Sequence, residues 1–323
     1  MIVFMIKGRD KILISVIMLT YNREHFVSRA IESILAQTFH DFEFIIINNG
    51  SKDRSGVIAD EYAKKDCRIR VIHRERGNIG SGRNAGLDAS RGEWVTFIDD
   101  DDFCEPDFLE FLYKLAMDNS ANIAICGAKK WENDTHSLVG IADNPLVMSP
   151  ETAIIELLLR KRYNNGFPTK LLSRNLFEQL RFPNEGLYDD IHLMYKVIAG
   201  ADKIVSYGLP KYNVVRHENN NSSATTSYGM ITAQYLNDYL DVYRNRANWL
   251  NEKFPNNTGY WNYFNWSFQI SMINKIDCYN LSDCKVYFTE MQNELSKHYK
   301  EFLNSPYILD FERKWLLEYV ENK

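Results

Sequence analysis

The chain has 323 residues, 45% of them hydrophobic and 25% charged, with a formal net charge of -5. That length and balance suit one large or two medium domains with a sizeable core, and they exclude a disordered chain or a small disulfide-dependent fold. The mild acid excess excludes a dedicated nucleic-acid binder, which needs a basic face to displace phosphate counterions.

Taken in order, the first third alternates strand-like and helix-like segments. Residues 12–19 form a continuous β-branched and apolar run, the pattern of a strand buried on both faces. Residues 24–37 carry Phe26, Ala30, Ile31, Ile34 and Leu35 at helical spacing. A second buried strand is expected at 42–47, a helix at 54–65, a third strand at 69–73 and a short helix at 81–90. A fourth strand at 94–98 stops at four consecutive aspartates. A helix at 106–120 and a strand at 123–129 follow. This rhythm predicts an α/β fold with a mainly parallel sheet wrapped by helices, whose ligands bind beyond the carboxyl ends of the strands. The loops after strands one to four should therefore meet at one site. The middle is less regular: a helix is expected at 150–163, a polar loop at 182–190 and a helix at 191–199. Residues 218–227 are polar and read as a linker. From residue 225 onward 21 of 99 residues are Phe, Trp or Tyr, against 22 of 224 before it, and they recur at helical spacing. A helical, aromatic-rich C-terminal region is expected.

The five cysteines, Cys67, Cys104, Cys126, Cys278 and Cys284, are odd in number and form no CxxC pair. They predict a reducing, cytoplasmic setting. No run of eighteen apolar residues occurs to span a bilayer, which leaves attachment to the inner membrane face open.

Several residues carry chemistry. Asp99, Asp100, Asp101 and Asp102 repel one another at a strand end, so a cation is expected there, and hard carboxylate oxygens suit Mg²⁺ or Mn²⁺. The glycine-rich stretch 77–86 would let backbone N–H groups approach an anion, with Arg83 as a phosphate partner. Its subset Gly80-x-Gly82-x-x-Ala85 also fits a dinucleotide fingerprint, though after the third strand rather than the first. Thr20-Tyr21-Asn22-Arg23 follows the first strand: a Tyr there can stack on a base and an Arg can meet a phosphate. Asp189 and Asp190 precede a helix, where one could act as general base or both could cap the helix. His217 could be a ligand or a structural histidine.

Read together, residues 15–24, 30–38, 42–53 (Phe-Glu-Phe-Ile-Ile-Ile-Asn-Asn-Gly-Ser-Lys-Asp), Arg83-Asn-Ala-Gly86 and Phe97-Ile-Asp-Asp-Asp-Asp102 resemble the family 2 glycosyltransferases of the GT-A fold. The likeness is dense over 13–112, thins to 185–190 and Arg216-His217, and is absent from the C-terminal third. It implies a GT-A domain at 12–217 and an inverting transfer of a sugar from a nucleotide-sugar donor, expected to be a UDP-sugar. The acceptor would be a hydroxyl of a glycan or lipid-linked saccharide in surface polysaccharide synthesis. By resemblance, Asp101 binds the metal, Asp99 faces the donor ribose with Asp100 beside it, and Tyr21 lies near the base. Arg83 contacts the nucleotide. Asp190 deprotonates the acceptor with Asp189 as its neighbour, and His217 falls at a late metal or phosphate ligand.

Three departures stand out. The family usually has Asp-Asp where this chain has Asn48-Asn49, so Asn49 would meet the base through its carbonyl oxygen. Leu19 replaces a common Pro, and Asp189 replaces the usual Glu. Two other functions remain open at this point: a non-catalytic partner subunit with a degenerate transferase domain, and an NAD(P)-dependent oxidoreductase using Gly80 and Gly82. Residues 228–323 are open to a core or homo-oligomer contact, an acceptor platform, or a peripheral membrane contact.

Overall fold

The computed structural model describes residues 12–186, 188–217, 220 and 231–321. The chain divides into two compact units: Met1–Glu185 with Asp189–Arg216, and Gly186–Tyr188 with His217–Lys323. Of the expected 218–227 linker only Asn220 lies within the described residues.

The first unit is built on a ten-stranded sheet. Its left half is parallel: β1 (Ile14–Thr20) pairs with β2 (Phe42–Asn48) on one side and β4 (Trp94–Asp99) on the other, and β2 pairs with β3 (Ile69–His73). The chain thus runs outward from β1 to β3 and returns across β1 to β4. That reversal opens a crevice above the ends of β1 and β4, where side chains from both can face one ligand.

The right half is mixed. β9 (Lys170–Ser173) runs antiparallel to both β4 and β6 (Ile123–Glu132), and β10 (Ile204–Arg216) runs parallel to β6. β5 (Phe103–Cys104), β7 (Thr135–Val139) and β8 (Leu146–Met148) add short antiparallel pairings. The sheet is mainly parallel, as the βαβ rhythm predicts, with its antiparallel pairings in this half. β9 and β10 escape the sequence pattern for a physical reason. β9 has only four residues, and Gly208 and Pro210 disrupt β10, whose register with β6 shifts around Pro210.

The strands are apolar because both faces are covered. On one face Val16 and Met18 pack with Val27, Ala30, Ile31 and Ile34 of α1 (Val27–Leu35), all fully buried at helical spacing. On the other face lies α3 (Ile79–Ala89). It comes close enough to β1 that a Cβ on Gly82 would stand 2.3 Å from Leu19, and one on Gly86 2.4 Å from Ile17. The expected glycine-rich anion loop is thus mostly helix, and these glycines serve close helix–sheet packing. α2 (Ser55–Ala63), α4 (Phe108–Asp118), α5 (Pro150–Leu159) and α6 (Asp189–Ala199) complete this unit. α6 begins two residues earlier than expected, so Asp189 and Asp190 form its first turn.

The second unit consists mainly of helices, at Ala233–Lys253, Thr258–Cys278, Lys285–Lys297, Tyr299–Leu303 and Asp310–Leu316. Its aromatics form much of its core: Trp261, Tyr263, Trp266 and Phe268 are buried, and Tyr243 stacks on Phe268 with centroids 3.8 Å apart. Buried Glu312 ties helices together, accepting from Tyr263 Oη at 3.1 Å and Ser267 Oγ at 2.5 Å. No helix among the described residues is long and apolar enough to cross a membrane.

The amino ends of β1, β2 and β4 are held by one buried carboxylate. Glu43 accepts from Ser15 Oγ at 2.7 Å, from Arg91 N at 2.7 Å, and from Arg91 Nε and Nη2 at 3.0 and 2.8 Å. Replacing Glu43 by Ala leaves those donors unmatched and should lower the unfolding free energy by about 2–3 kcal/mol. Urea denaturation measures this, and a loss under about 0.5 kcal/mol would contradict the assignment.

Candidate active site

The site forms at the opposite, carboxyl edge of the sheet. Thr20 is fully buried at the end of β1. Tyr21 donates its N–H to Asp100 Oδ2 at 3.1 Å, which draws the ends of β1 and β4 together. Asn22 takes a left-handed backbone conformation (φ 52°), which Asn tolerates better than most residues. It bonds across to the loop after β2: its N–H reaches Ser51 Oγ at 3.2 Å, and its Oδ1 accepts from Lys52 N at 2.9 Å. Arg23 donates its N–H to Ser55 Oγ at 2.7 Å, while its Nε lies 3.8 Å from Asp100 and 3.6 Å from Asp101.

The loop after β2 joins the same assembly. Asn49 donates its N–H to Thr20 O at 2.9 Å, and its side-chain amide bonds both backbone groups of Gly77. Asn48 Nδ2 lies 3.0 Å from His73 Nδ1, and His73 Nε2 lies 3.0 Å from Asp60 Oδ1. The expected meeting of the four loops is therefore what the structure shows.

The four aspartates have separate environments. Asp102 is buried and faces inward: it accepts from Val215 N at 2.8 Å and from the buried Tyr212 hydroxyl. That hydroxyl in turn accepts from Asp99 N at 3.0 Å. Burial, with Asp99 and Asp101 nearby, raises the Asp102 pKa well above the usual range. Burial and the Asp101 charge push Asp100 up to about 7, against the pull of Thr20, Arg23 and the Tyr21 N–H. Loss of solvent also pushes Asp99 up to about 6, opposed by Arg83 and reinforced by Asp101, Asp189 and Asp190. The Asp99 side chain keeps 47% of its surface open to solvent. Asp101 accepts on its backbone oxygen from Arg29 Nη2 at 2.5 Å, and only 11% of its side chain is exposed.

Arg83 lies between two groups of carboxylates. From the middle of α3 its Nη1 donates to Asp189 Oδ2 at 2.6 Å, and its Nη2 lies 3.7 Å from Asp99 Oδ1. Its guanidinium also lies 5.5–6.0 Å from the ring centroids of Phe182, Phe167 and Phe97. Burial opposes its charge, yet Asp189, Asp99 and Asp190 outweigh that and raise its pKa. Asp190 differs from its neighbour. Burial and the Asp189 charge raise its pKa, and its Oδ1 accepts from Ile191 N at 2.8 Å. Paired Asp189 and raised Asp190 therefore suit different tasks.

The residues singled out in the sequence lie as follows. Thr20, Tyr21, Asn22, Arg23, Asn49, Arg83, Asp99, Asp100, Asp101, Asp189 and Asp190 all lie in the first unit, linked by the bonds above. His217 belongs to the second unit, where its N–H donates to Asn220 Oδ1 at 2.5 Å. Among the described residues no three His, Cys, Asp or Glu side chains form a metal-holding group.

Two contributors had gone unnoticed in the sequence. Arg76 lies over the Tyr21 ring, 4.0 Å from its centroid, and bonds the Tyr21 hydroxyl. Its only signal was basic character just before Gly77. Tyr212 had none, because its strand was not foreseen.

Comparison with known proteins fixes the family. The Glycosyl transferase family 2 profile matches residues 15–181, just over half of the chain. The chain belongs to that family. Uncharacterized glycosyltransferase EpsJ of Bacillus subtilis (strain 168) is 40% identical over 141 residues, 43% of this chain and 41% of EpsJ. The chain therefore spans less than half the length of that relative. As a family 2 glycosyltransferase it also shares its fold with solved structures. S. aureus TarS 1-349 in complex with UDP-GlcNAc superimposes with a TM-score of 0.69 at 18% identity, over 96% of this chain and 92% of that one. Mannosyltransferase PcManGT from Pyrobaculum calidifontis, in complex with GDP-Man and Mn²⁺, does so with a TM-score of 0.55 at 15% identity, over 95% and 85%.

Replacing Arg83 by Leu leaves Asp189 and Asp99 facing each other without a cation. Unfolding free energy should fall by about 2 kcal/mol or more near pH 8. The deficit should shrink as pH falls toward about 6, because without Arg83 the variant's Asp99 takes up its proton at a higher pH than in the wild type. A pH-independent deficit, read by urea denaturation at several pH values, would contradict this electrostatic role.

Proposed function

We propose that this family 2 glycosyltransferase moves a sugar from a nucleotide-sugar donor to an acceptor hydroxyl by single displacement with inversion. The observation that carries the reading is the Arg83 bridge at the crevice: it pairs Asp189 and approaches Asp99, while Asp190 beside it has a raised pKa. In this reading the donor diphosphate lies near Arg83 and Asp101, with the base near Tyr21 and Asn49 and the ribose near Asp99 and Asp100. Thr20, Asn22 and Arg23 shape that pocket through the bonds between loops.

The reaction needs a base and a stabilised leaving group. The acceptor oxygen attacks the anomeric carbon as the bond to the diphosphate oxygen breaks, and the hydroxyl proton passes to Asp190. A carboxylate with a raised pKa is the stronger base at neutral pH. Asp189, neutralised by Arg83, holds the first turn of α6 in place. The nucleoside diphosphate leaves with its charge partly met by Arg83. No covalent intermediate is required.

A divalent cation fits the residues present. Asp99 and Asp101 offer hard oxygens in a strongly negative setting, and Mg²⁺ or Mn²⁺ commonly takes one or two carboxylates with substrate phosphates rather than a full protein cage. When bound, it would neutralise charge developing on the leaving diphosphate. Asp101 would hold it. Support for a nucleotide donor and a metal comes from the TarS complex with UDP-GlcNAc and the PcManGT complex with GDP-Man and Mn²⁺. We favour a UDP-sugar donor and a glycan or lipid-linked saccharide acceptor in surface polysaccharide synthesis.

The test is a screen of nucleotide sugars with Mn²⁺ for hydrolysis and transfer, repeated on two variants. Asp190→Asn should lower transfer by about a thousandfold while keeping nucleotide affinity within about threefold. Asp101→Ala should weaken Mn²⁺-dependent nucleotide binding about tenfold or more. In the wild type, kcat/KM should fall as pH drops through the raised Asp190 pKa, because the base is then protonated. Normal turnover in Asp190→Asn would overturn the assignment of the base.

A further inference from the structure

Asn49 stands where the family usually has an acid, and its surroundings give that change a purpose. Its side chain is nearly inaccessible, with the residue 4% exposed. Its Nδ2 donates to Gly77 O at 2.8 Å, and its Oδ1 accepts from Gly77 N at 3.2 Å. This is the pairing one peptide group makes with another, and only one orientation of the amide satisfies both partners. The neighbouring backbone is equally close. Gly50 has φ 79°, and a Cβ there would stand 2.7 Å from Arg76 N. Arg76 in turn covers the Tyr21 ring. Asn49 therefore sits at the root of a chain of contacts running from β2 through Arg76-Gly77 to Tyr21.

We infer that Asn49 is a positioning residue: its amide clasps both backbone groups of Gly77 and so fixes the Arg76-Gly77 segment over Tyr21 at the nucleotide end of the site. The inference rests on the donor-site reading above. It has a counterintuitive consequence. An ionised Asp at this position could accept from the Gly77 N–H but would face the Gly77 carbonyl oxygen with a second oxygen and no proton between them. Restoring the family's usual acid should therefore damage this chain. A protonated carboxyl, with one donor and one acceptor, would restore both bonds.

The experiment compares wild type, Asn49→Asp and Asn49→Leu, each checked by circular dichroism. One readout is UDP affinity by calorimetry with Mn²⁺; the other is the rate of tryptic cleavage after Arg74 and Arg76. Both are taken relative to wild type at about pH 8 and about pH 5.5. At the higher pH, Asn49→Asp should bind UDP about tenfold more weakly and be cut about tenfold faster. At the lower pH it should recover most of both. Asn49→Leu, which has no proton to gain, should stay impaired at both. Wild-type-like cleavage of Asn49→Asp at the higher pH, or equal damage at both pH values, would overturn the clasp. If wild type binds neither UDP nor another nucleoside diphosphate, the donor-site reading fails, while the cleavage rates still decide the clasp. If Asn49→Asp does not fold at the higher pH, refolding on acidification supports the clasp and failure to refold overturns it.

Discussion

The active site depends on one electrostatic constraint: seven ionisable groups stand at one crevice, four of the carboxylates among them buried. Asp99 ends β4 and Asp100, Asp101 and Asp102 follow it, Asp189 and Asp190 begin α6, and Arg83 projects from α3 between the two sets. Burial drives Asp99, Asp100, Asp102 and Asp190 toward the neutral form. The structure answers in different ways. Asp102 is tied to Val215 and Tyr212, Asp100 is met by the Tyr21 N–H and Arg23, and Asp189 is paired with Arg83. Asp101 lies 3.6 Å from Arg23 Nε, Asp99 lies 3.7 Å from Arg83 Nη2, and Asp190 accepts from Ile191 N; the proposed reaction uses these three.

The fold supplies the rigidity that such a site needs. Reversal of strand order between β3 and β4 places Tyr21 and Asp100 at adjacent strand ends, and the parallel ladders fix their register. At the other edge Glu43 closes β1, β2 and the turn before β4 with four hydrogen bonds. On the helix side, Gly82 and Gly86 let α3 approach β1 closely, which sets how far Arg83 reaches toward β4. The glycines that sequence reading assigned to anion binding thus act one step earlier, in packing.

Sequence legibility followed burial symmetry. β1 to β4 were legible because each is a short apolar run bounded by turn residues, and α1 because its apolar residues recur every three or four positions. β9 was hidden by its four-residue length, and Lys170, fully buried within it, reads as a surface residue. β10 was hidden by Gly208 and Pro210, and Tyr212 went with it. The aspartates were legible as a group but not as individuals, because the difference between inward Asp102 and open Asp99 comes from β10 and α3. Asn49 was visible as a departure, whereas its partner Gly77 became evident only from the pairing of the loops.

The central claim is that Arg83 acts by charge on Asp189, and a double-mutant cycle tests it most directly. Unfolding free energies of wild type, Arg83→Leu, Asp189→Asn and the double variant give the coupling between the two side chains. A coupling of about 1.5–3 kcal/mol is expected for this hydrogen-bonded charge pair with little exposure. A coupling within about 0.3 kcal/mol of zero would mean that the two side chains contribute independently, and would contradict it.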